Sequence, residues 1–213
     1  MLNIAVMVSG GGTNLQALID AQYRGEIKNG KITLVVSNKP EAYALERAAN
    51  AGIKTVAAEK KDYNDTVSYN LKLIEILNEN AIDLVVLAGF MVILSPEFIK
   101  AFKNRIINVH PSLIPAFCGD GFYGLKVHEK ALEYGVKVTG ATVHFVNEIT
   151  DGGEIILQKA VEILDDDTPE TLQKRVMQQA EWIILPKAVS LFCEGRLEFC
   201  KRKIKINEKG VLK

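Results

Sequence analysis

Short apolar runs and amphipathic stretches alternate along the first half of the chain. Leu2-Asn-Ile-Ala-Val-Met-Val-Ser9, Lys31-Ile-Thr-Leu-Val-Val-Ser37, Lys54-Thr-Val-Ala57 and Ile82-Asp-Leu-Val-Val-Leu-Ala88 are compact, mostly apolar runs. Such runs predict strands buried on both faces of a parallel sheet. The run from Ile82 is the most apolar and is predicted to be central. Between the strands, Leu15, Leu18 and Ile19 recur at helical spacing. The stretch 41–51 predicts a helix with Leu45, Ala48 and Ala49 inward and Gly52 as its stop. The stretch 62–80 predicts a longer helix carrying Val67, Leu71, Ile74 and Leu77, capped by Asp62 or Asn64, with its tyrosines packed on the core. Ser95-Pro96-Glu97 predicts a capped helix running to about Lys103.

In the second half, Arg105-Ile-Ile-Asn-Val-His-Pro-Ser-Leu-Ile-Pro115 predicts a strand that ends by delivering Asn108 and His110 to a loop. The loop 116–124, with its glycines and aromatics, is either a mobile lid or an ordered surface loop. Leu125 to Tyr134 predicts a helix stopped by Gly135, with His128 facing solvent or a neighbouring loop. Val138 to Val146 and Glu154 to Ile163 predict an antiparallel edge pair joined by a polar loop ending in Asp151-Gly-Gly. Thr168-Pro-Glu170 opens a helix carrying Leu172, Val176, Ile183 and Ile184, which Pro186 should kink or divide. Gly195 ends it, and the tail from Arg196 predicts one or two weak strands. The pattern as a whole predicts an α/β fold: a Rossmann-like three-layer sandwich with a mostly parallel central sheet and an antiparallel C-terminal edge.

Lys plus Arg and Asp plus Glu each number 26, so no global basic field exists to hold nucleic acid or an acidic membrane. Small-molecule substrates are expected instead. Cys118, Cys193 and Cys200 are odd in number and widely spaced, against a disulfide framework or a structural zinc site. No signal-type segment opens the sequence and no apolar run approaches membrane-spanning length. A cytoplasmic protein without a metal is the expectation.

Candidate chemistry gathers at the strand ends. Gly10-Gly-Gly-Thr-Asn14 lies between a strand and a helix, where backbone N–H groups and the helix dipole favour an anion; the alternative is a tight turn only. It matches neither Gly-x-Gly-x-x-Gly nor a P-loop, which disfavours a dinucleotide or ATP and still admits a single phosphate. Gly89-Phe-Met-Val-Ile-Leu94 is an unusually apolar loop that either covers the sheet end or lines a pocket for an aromatic ligand. Asn108 and His110, two apart on a strand, share a face; the alternative is that they merely satisfy loop backbone groups. If Asp151 meets His110, it raises the imidazole pKa, and the two donors then suit a developing oxyanion in acyl or formyl transfer. Ser112 and Cys118 lack the context of a covalent nucleophile.

Ser9-Gly-Gly-Gly-Thr-Asn-Leu-Gln-Ala17, Leu87-Ala-Gly-Phe-Met-Val-Ile-Leu-Ser95, Ile107-Asn-Val-His-Pro-Ser-Leu-Ile-Pro115, Thr142-Val-His-Phe-Val146 and Asp151-Gly-Gly together resemble, in order and spacing, the motif series of the phosphoribosylglycinamide formyltransferases. The resemblance implies a formyltransferase fold in one domain, 1–213, with a phosphate-binding half (1–104) and a catalytic and folate half (105–213). It implies transfer of the formyl group of 10-formyltetrahydrofolate, a co-substrate, to the amine of glycinamide ribonucleotide in purine synthesis. Asn108 and protonated His110 would stabilise the oxyanion, His110 would pass a proton to the departing folate nitrogen, and Asp151 would tune His110. Gly11, Gly12, Thr13 and Asn14 would hold the ribonucleotide phosphate, and Gln178 and Glu181 would contact the ribonucleotide. Met91, Val92, Ile93 and Leu94, with Asn108, would cradle the folate, and His144 would support the site. A monomer or homodimer is expected. The family usually carries Arg where Val92 and Thr66 stand, so two charges near the folate tail are missing. Another formyltetrahydrofolate enzyme, a hydrolase or a methionyl-tRNA formyltransferase, is the nearest alternative. A non-catalytic nucleotide-binding module is the alternative from another class.

Overall fold

The computed structural model describes residues 1–208, so 209–213 of the predicted tail lie outside the described residues. The chain forms two compact units, the first Met1–Ile107 and the second starting at Asn108. In chain order the elements are β1 (Leu2–Val8), α1 (Thr13–Tyr23), β2 (Gly30–Ser37), α2 (Tyr43–Asn50), β3 (Lys54–Ala57), α3 (Thr66–Glu79), β4 (Leu84–Leu87), α4 (Pro96–Ala101) and β5 (Ile106–His110). They continue with α5 (Leu125–Tyr134), β6 (Val138–Phe145), β7 (Ile155–Glu162), α6 (Pro169–Val176), α7 (Trp182–Cys193), β8 (Leu197–Cys200) and β9 (Lys203–Ile206). Seven strands follow the hydrogen-bonding order β3-β2-β1-β4-β5-β6-β7, and β8 and β9 form a separate antiparallel hairpin. The fold is therefore mostly parallel with an antiparallel C-terminal edge, as the hydrophobic pattern predicts.

In the first unit, β1 pairs in parallel with β2 and β4, and β2 with β3. Ile4, Val6, Leu34, Val36, Leu84 and Val86 are buried because helices cover both faces of such a sheet. Helix α1 buries Leu15, Leu18 and Ile19. Three details depart from the sequence reading. Ala49 is exposed, because α2 buries Ala44 and Ala48 instead. Helix α3 starts at Thr66, not at Asp62: Asp65 accepts from Ser68 N and closes a capping box, while Lys60–Asp62 forms a separate 3₁₀ turn. Its inward face is Tyr69, Leu73, Ile76 and Leu77, leaving Val67 and Leu71 half exposed. Tyr69 packs inward as expected and donates to Ala58 O at 3.0 Å. Helix α4 has the predicted start, with Ser95 accepting from Phe98 N and Pro96 at the first position.

In the second unit, β6 and β7 pair antiparallel, with a register shift at Val143/His144. Helix α5 ends at Gly135 in the left-handed conformation (φ 81°). Helix α6 starts on Thr168 and Pro169, and the buried Asp167 carboxylate grips Arg175. That grip holds Asp167 down at about 2. The helix is interrupted where Pro186 did not predict: a π turn spans Met177–Glu181, whereas Pro186 lies inside α7. A proline ring crowds the carbonyl four residues before it, here Trp182, and the wide turn ends just ahead of that residue. Ile184 is buried, but Ile183 is half exposed.

Candidate active site

β5 turns Asn108 and His110 to the same side, and His110 is almost fully buried. The loop after it is fixed by Thr142 on β6, whose hydroxyl donates to Ser112 O at 2.7 Å and accepts from Ile114 N at 3.1 Å. Ser112 is buried with its hydroxyl donated to Ala116 O, so it braces the loop.

Asp151 arrives from the β6–β7 connection in the left-handed conformation (φ 53°). The two glycines after it are required by space. A Cβ on Gly152 would come within 2.6 Å of Ile149, and one on Gly153 within 1.8 Å of Phe145 O. The carboxylate then meets two histidines. Oδ2 lies 3.5 Å from His110 Nδ1 and accepts from Gly119 N at 2.9 Å, while Oδ1 lies 3.5 Å from His144 Nε2. His144 Nδ1 donates to Phe145 O at 2.7 Å, and its Nε2 lies 3.2 Å from Asn108 Nδ2. The fold thus joins Asn108, His144, Asp151 and His110 into one chain of contacts.

The electrostatics follow from burial. Asp151 is pushed up by burial but held below its ordinary value by His144, His110 and the Gly119 N–H together, so it is ionised. His110 is pushed down by burial; Asp151 and the Phe117 carbonyl push it up by less, and the net direction is downward. The protonated resting imidazole that the Asp151 contact alone implies is therefore corrected: desolvation outweighs the ion pair. The shorter contact is Nε2 donating to Phe117 O at 2.9 Å, while Nδ1 faces Asp151 Oδ2 at 3.5 Å. Uptake of a proton at Nδ1 completes the ion pair.

His128 is a second correction. It is fully buried on α5, not solvent-facing, because it flanks the face carried by Val127 and Ala131. Neither ring nitrogen has a hydrogen-bond partner among the described residues, and burial, then His110, pushes it down to about 4. Cys118 is pushed up by burial and Asp151, so it stays a thiol.

The remaining candidates divide between the units. In the first, Gly12 ends β1's loop in the left-handed conformation (φ 72°), a Cβ there would lie 2.6 Å from Ala44, and Thr13 and Asn14 open α1. Gly11 lies just before it. The apolar loop is tied to this region by Met91 N, which donates to Ser9 Oγ at 2.8 Å. Met91 and Ile93 are exposed, Val92 is partly exposed and Leu94 is buried. In the second unit, Gln178 (exposed) and Glu181 (buried) stand on the π turn, which packs on β6 and β7. Sequence reasoning missed Phe117 and Gly119, which act through backbone groups and leave no residue-type signature. It also missed His128, where the Val127/Ala131 spacing was the available signal. Among the described residues, no cluster of three or more His, Cys, Asp or Glu side chains is arranged to hold a metal ion, and no helix is long and apolar enough to cross a membrane.

The formyl transferase family model matches residues 2–189. The chain is 43% identical over 197 residues to the phosphoribosylglycinamide formyltransferase of Haemophilus influenzae, covering 92% of this chain and 90% of that protein. Identity to the enzyme of the same name from Escherichia coli (strain K12) is also 43% over 197 residues, with the same coverage of 92% and 90%. Among solved structures, glycinamide ribonucleotide transformylase 1 from Symbiobacterium toebii superposes with a TM-score of 0.92 at 43% identity, covering 98% of this chain and 95% of that one.

Proposed function

The chain belongs to the formyl transferase family, and from that premise we propose that it moves the formyl group of 10-formyltetrahydrofolate onto the amine of glycinamide ribonucleotide, yielding formylglycinamide ribonucleotide and tetrahydrofolate in purine biosynthesis. The observation that carries the mechanism is the contact chain Asn108–His144–Asp151–His110. The amine attacks the formyl carbon, and the carbonyl oxygen becomes an oxyanion. Asn108 spends one N–H on His144, which fixes its amide and aims the second N–H at that oxygen. His110, neutral at rest, shifts its ring proton to Nδ1 beside Asp151 as Nε2 is freed, and Nε2 takes up the proton that the attacking amine must lose. It then passes the proton to the departing folate nitrogen. Both ring nitrogens of His110 are engaged, so the Phe117 carbonyl yields Nε2 to substrate during turnover.

Gly11, Gly12, Thr13 and Asn14 receive the ribonucleotide phosphate, and Gln178 and Glu181 contact the rest of that substrate. Met91, Val92, Ile93 and Leu94 cover the folate ring system, and His144 positions Asn108. The exposure of Met91 and Ile93 supports this, since exposed apolar side chains in a loop favour an apolar ligand. The protein works in the cytoplasm on small molecules, as a monomer or homodimer, with neither nucleic acid nor membrane as partner and without a metal.

The test is a direct assay with 10-formyltetrahydrofolate and glycinamide ribonucleotide, run on the native protein and on His110→Ala. Native turnover with a loss of about 10²–10⁴-fold in the variant, at unchanged circular dichroism, is expected. Near-native turnover by His110→Ala would sink the mechanism, and no turnover by the native protein would sink the activity.

A further inference from the structure

An anion loop works by turning its peptide N–H groups toward the ligand, and each peptide must then hold its carbonyl elsewhere. In Gly10-Gly-Gly-Thr-Asn14, the carbonyls of three successive residues are tied down. Gly10 O accepts from Ala44 N at 3.1 Å, Gly11 O from Arg47 Nε at 2.8 Å, and Gly12 O from Gln16 N at 2.9 Å. Two of these anchors are backbone groups of α1 and of α2's first turn, which any sequence forming those helices supplies. The third is a side chain. Arg47 is itself braced: it donates through Nη1 to Gln16 Oε1 at 3.1 Å, and its guanidinium carbon lies 4.9 Å from the centroid of the Tyr43 ring. Gln16 is in turn tied to Asp20 at 2.8 Å. The packing is tight, since a Cβ on Gly12 would meet the Ala44 Cβ at 2.6 Å and the Arg47 side chain at 3.5 Å.

We propose that Arg47 is a positioning residue for the phosphate group of the ribonucleotide: its guanidinium locks the Gly11 carbonyl and places a positive charge against the loop. The proposal rests on the reading that this loop takes the phosphate. A planar guanidinium can bond Gly11, bridge to Gln16 and lie on Tyr43 at once, whereas an ammonium is a single point charge on a flexible stem. Arg47 therefore acts on the phosphate-bearing substrate and leaves the formyl donor and the chemical step alone. Preorganisation of this kind appears in binding rather than in turnover.

The experiment measures steady-state kinetics for the native enzyme, Arg47→Met, Arg47→Lys and the milder Gln16→Ala. The substrates are glycinamide ribonucleotide and its dephosphorylated riboside, and inorganic phosphate is titrated as a competitive inhibitor. Expected for Arg47→Met and Arg47→Lys is a KM for the ribonucleotide raised about tenfold or more, with phosphate inhibition weakened in parallel. Their kcat, their KM for the formyl donor and their use of the riboside stay within about threefold of native. Gln16→Ala shows a smaller rise of the same kind, which keeps the test open should either arginine variant fold poorly. A native preference for the ribonucleotide that Arg47→Met leaves intact overturns the inference alone, as does full rescue by Arg47→Lys. Equal use of riboside and ribonucleotide by the native enzyme overturns the phosphate reading and the inference with it.

Discussion

Replacing Asp151 by Asn isolates the electrostatic part of the proposed mechanism. The amide is nearly the size of the carboxylate. Its oxygen can still accept from Gly119 N, and its NH₂ can face His144, so the turn built on Gly152 and Gly153 is retained. What disappears is the charge 3.5 Å from His110 Nδ1, in a place where the two side chains are only 5% and 10% exposed. At an effective dielectric of about 20, such a pair is worth on the order of 4 kcal/mol, and the low exposure limits screening by salt. That energy favours only the imidazolium, so its loss lowers the His110 pKa further below its already depressed position. At about 1.4 kcal/mol per decade, the ceiling on the effect is roughly three powers of ten. The imidazolium formed as His110 takes the amine proton is destabilised by the same amount. Asp151→Asn should therefore lower kcat by about 100- to 1000-fold. It should also move the acid limb of the kcat profile down by more than about one pH unit, with the melting temperature changed by only a few degrees. The assay is formyl transfer at saturating substrates from about pH 5 to pH 9. A variant that keeps more than about a tenth of native kcat, with its acid limb unmoved, would refute the reasoning that Asp151 acts through charge on His110.

Two further expectations concern the support of the site. His128 is buried neutral and held down at about 4, so its contribution to stability is present above pH 6.5 and is lost as pH falls through about 4. His128→Leu should remove on the order of 3 kcal/mol of acid sensitivity in urea titrations at pH 7 and pH 4.5, and equal sensitivity in both proteins would contradict this. Gly153→Ala forces a Cβ to 1.8 Å from Phe145 O. It should cost roughly 3 kcal/mol or more, a fall in melting temperature of about 6 °C or more, together with activity; an unchanged thermal transition would show that the turn can yield.

Local information carried much of this protein. The strands β1, β2 and β4 were legible because apolar runs bounded by turn residues have few alternatives, and α6 because Thr168 and Pro169 satisfy and pre-shape a helix start. Motif order was enough to nominate Asn108, His110, His144 and Asp151, since a motif's residue types are legible wherever the chain carries them. Local signals failed where several options were equally good nearby. Asp62, Asn64 and Asp65 can all cap a helix, and only the packing of Tyr69 and Leu73 selects the last. A proline likewise announces an interruption without saying on which turn the helix will absorb it, here Met177–Glu181.

Sequence by itself determined the fold class and the family and nominated the candidate reactive side chains, because these depend on hydrophobic period and residue chemistry. Tertiary structure alone decided their state. His110 is depressed rather than raised because burial, a property of everything packed around it, outweighs one carboxylate at 3.5 Å. The Phe117 carbonyl, the Gly119 amide and the tied Gly11 carbonyl act through backbone atoms that every residue possesses. No residue code distinguishes those atoms, so only their positions in the folded chain give them a role.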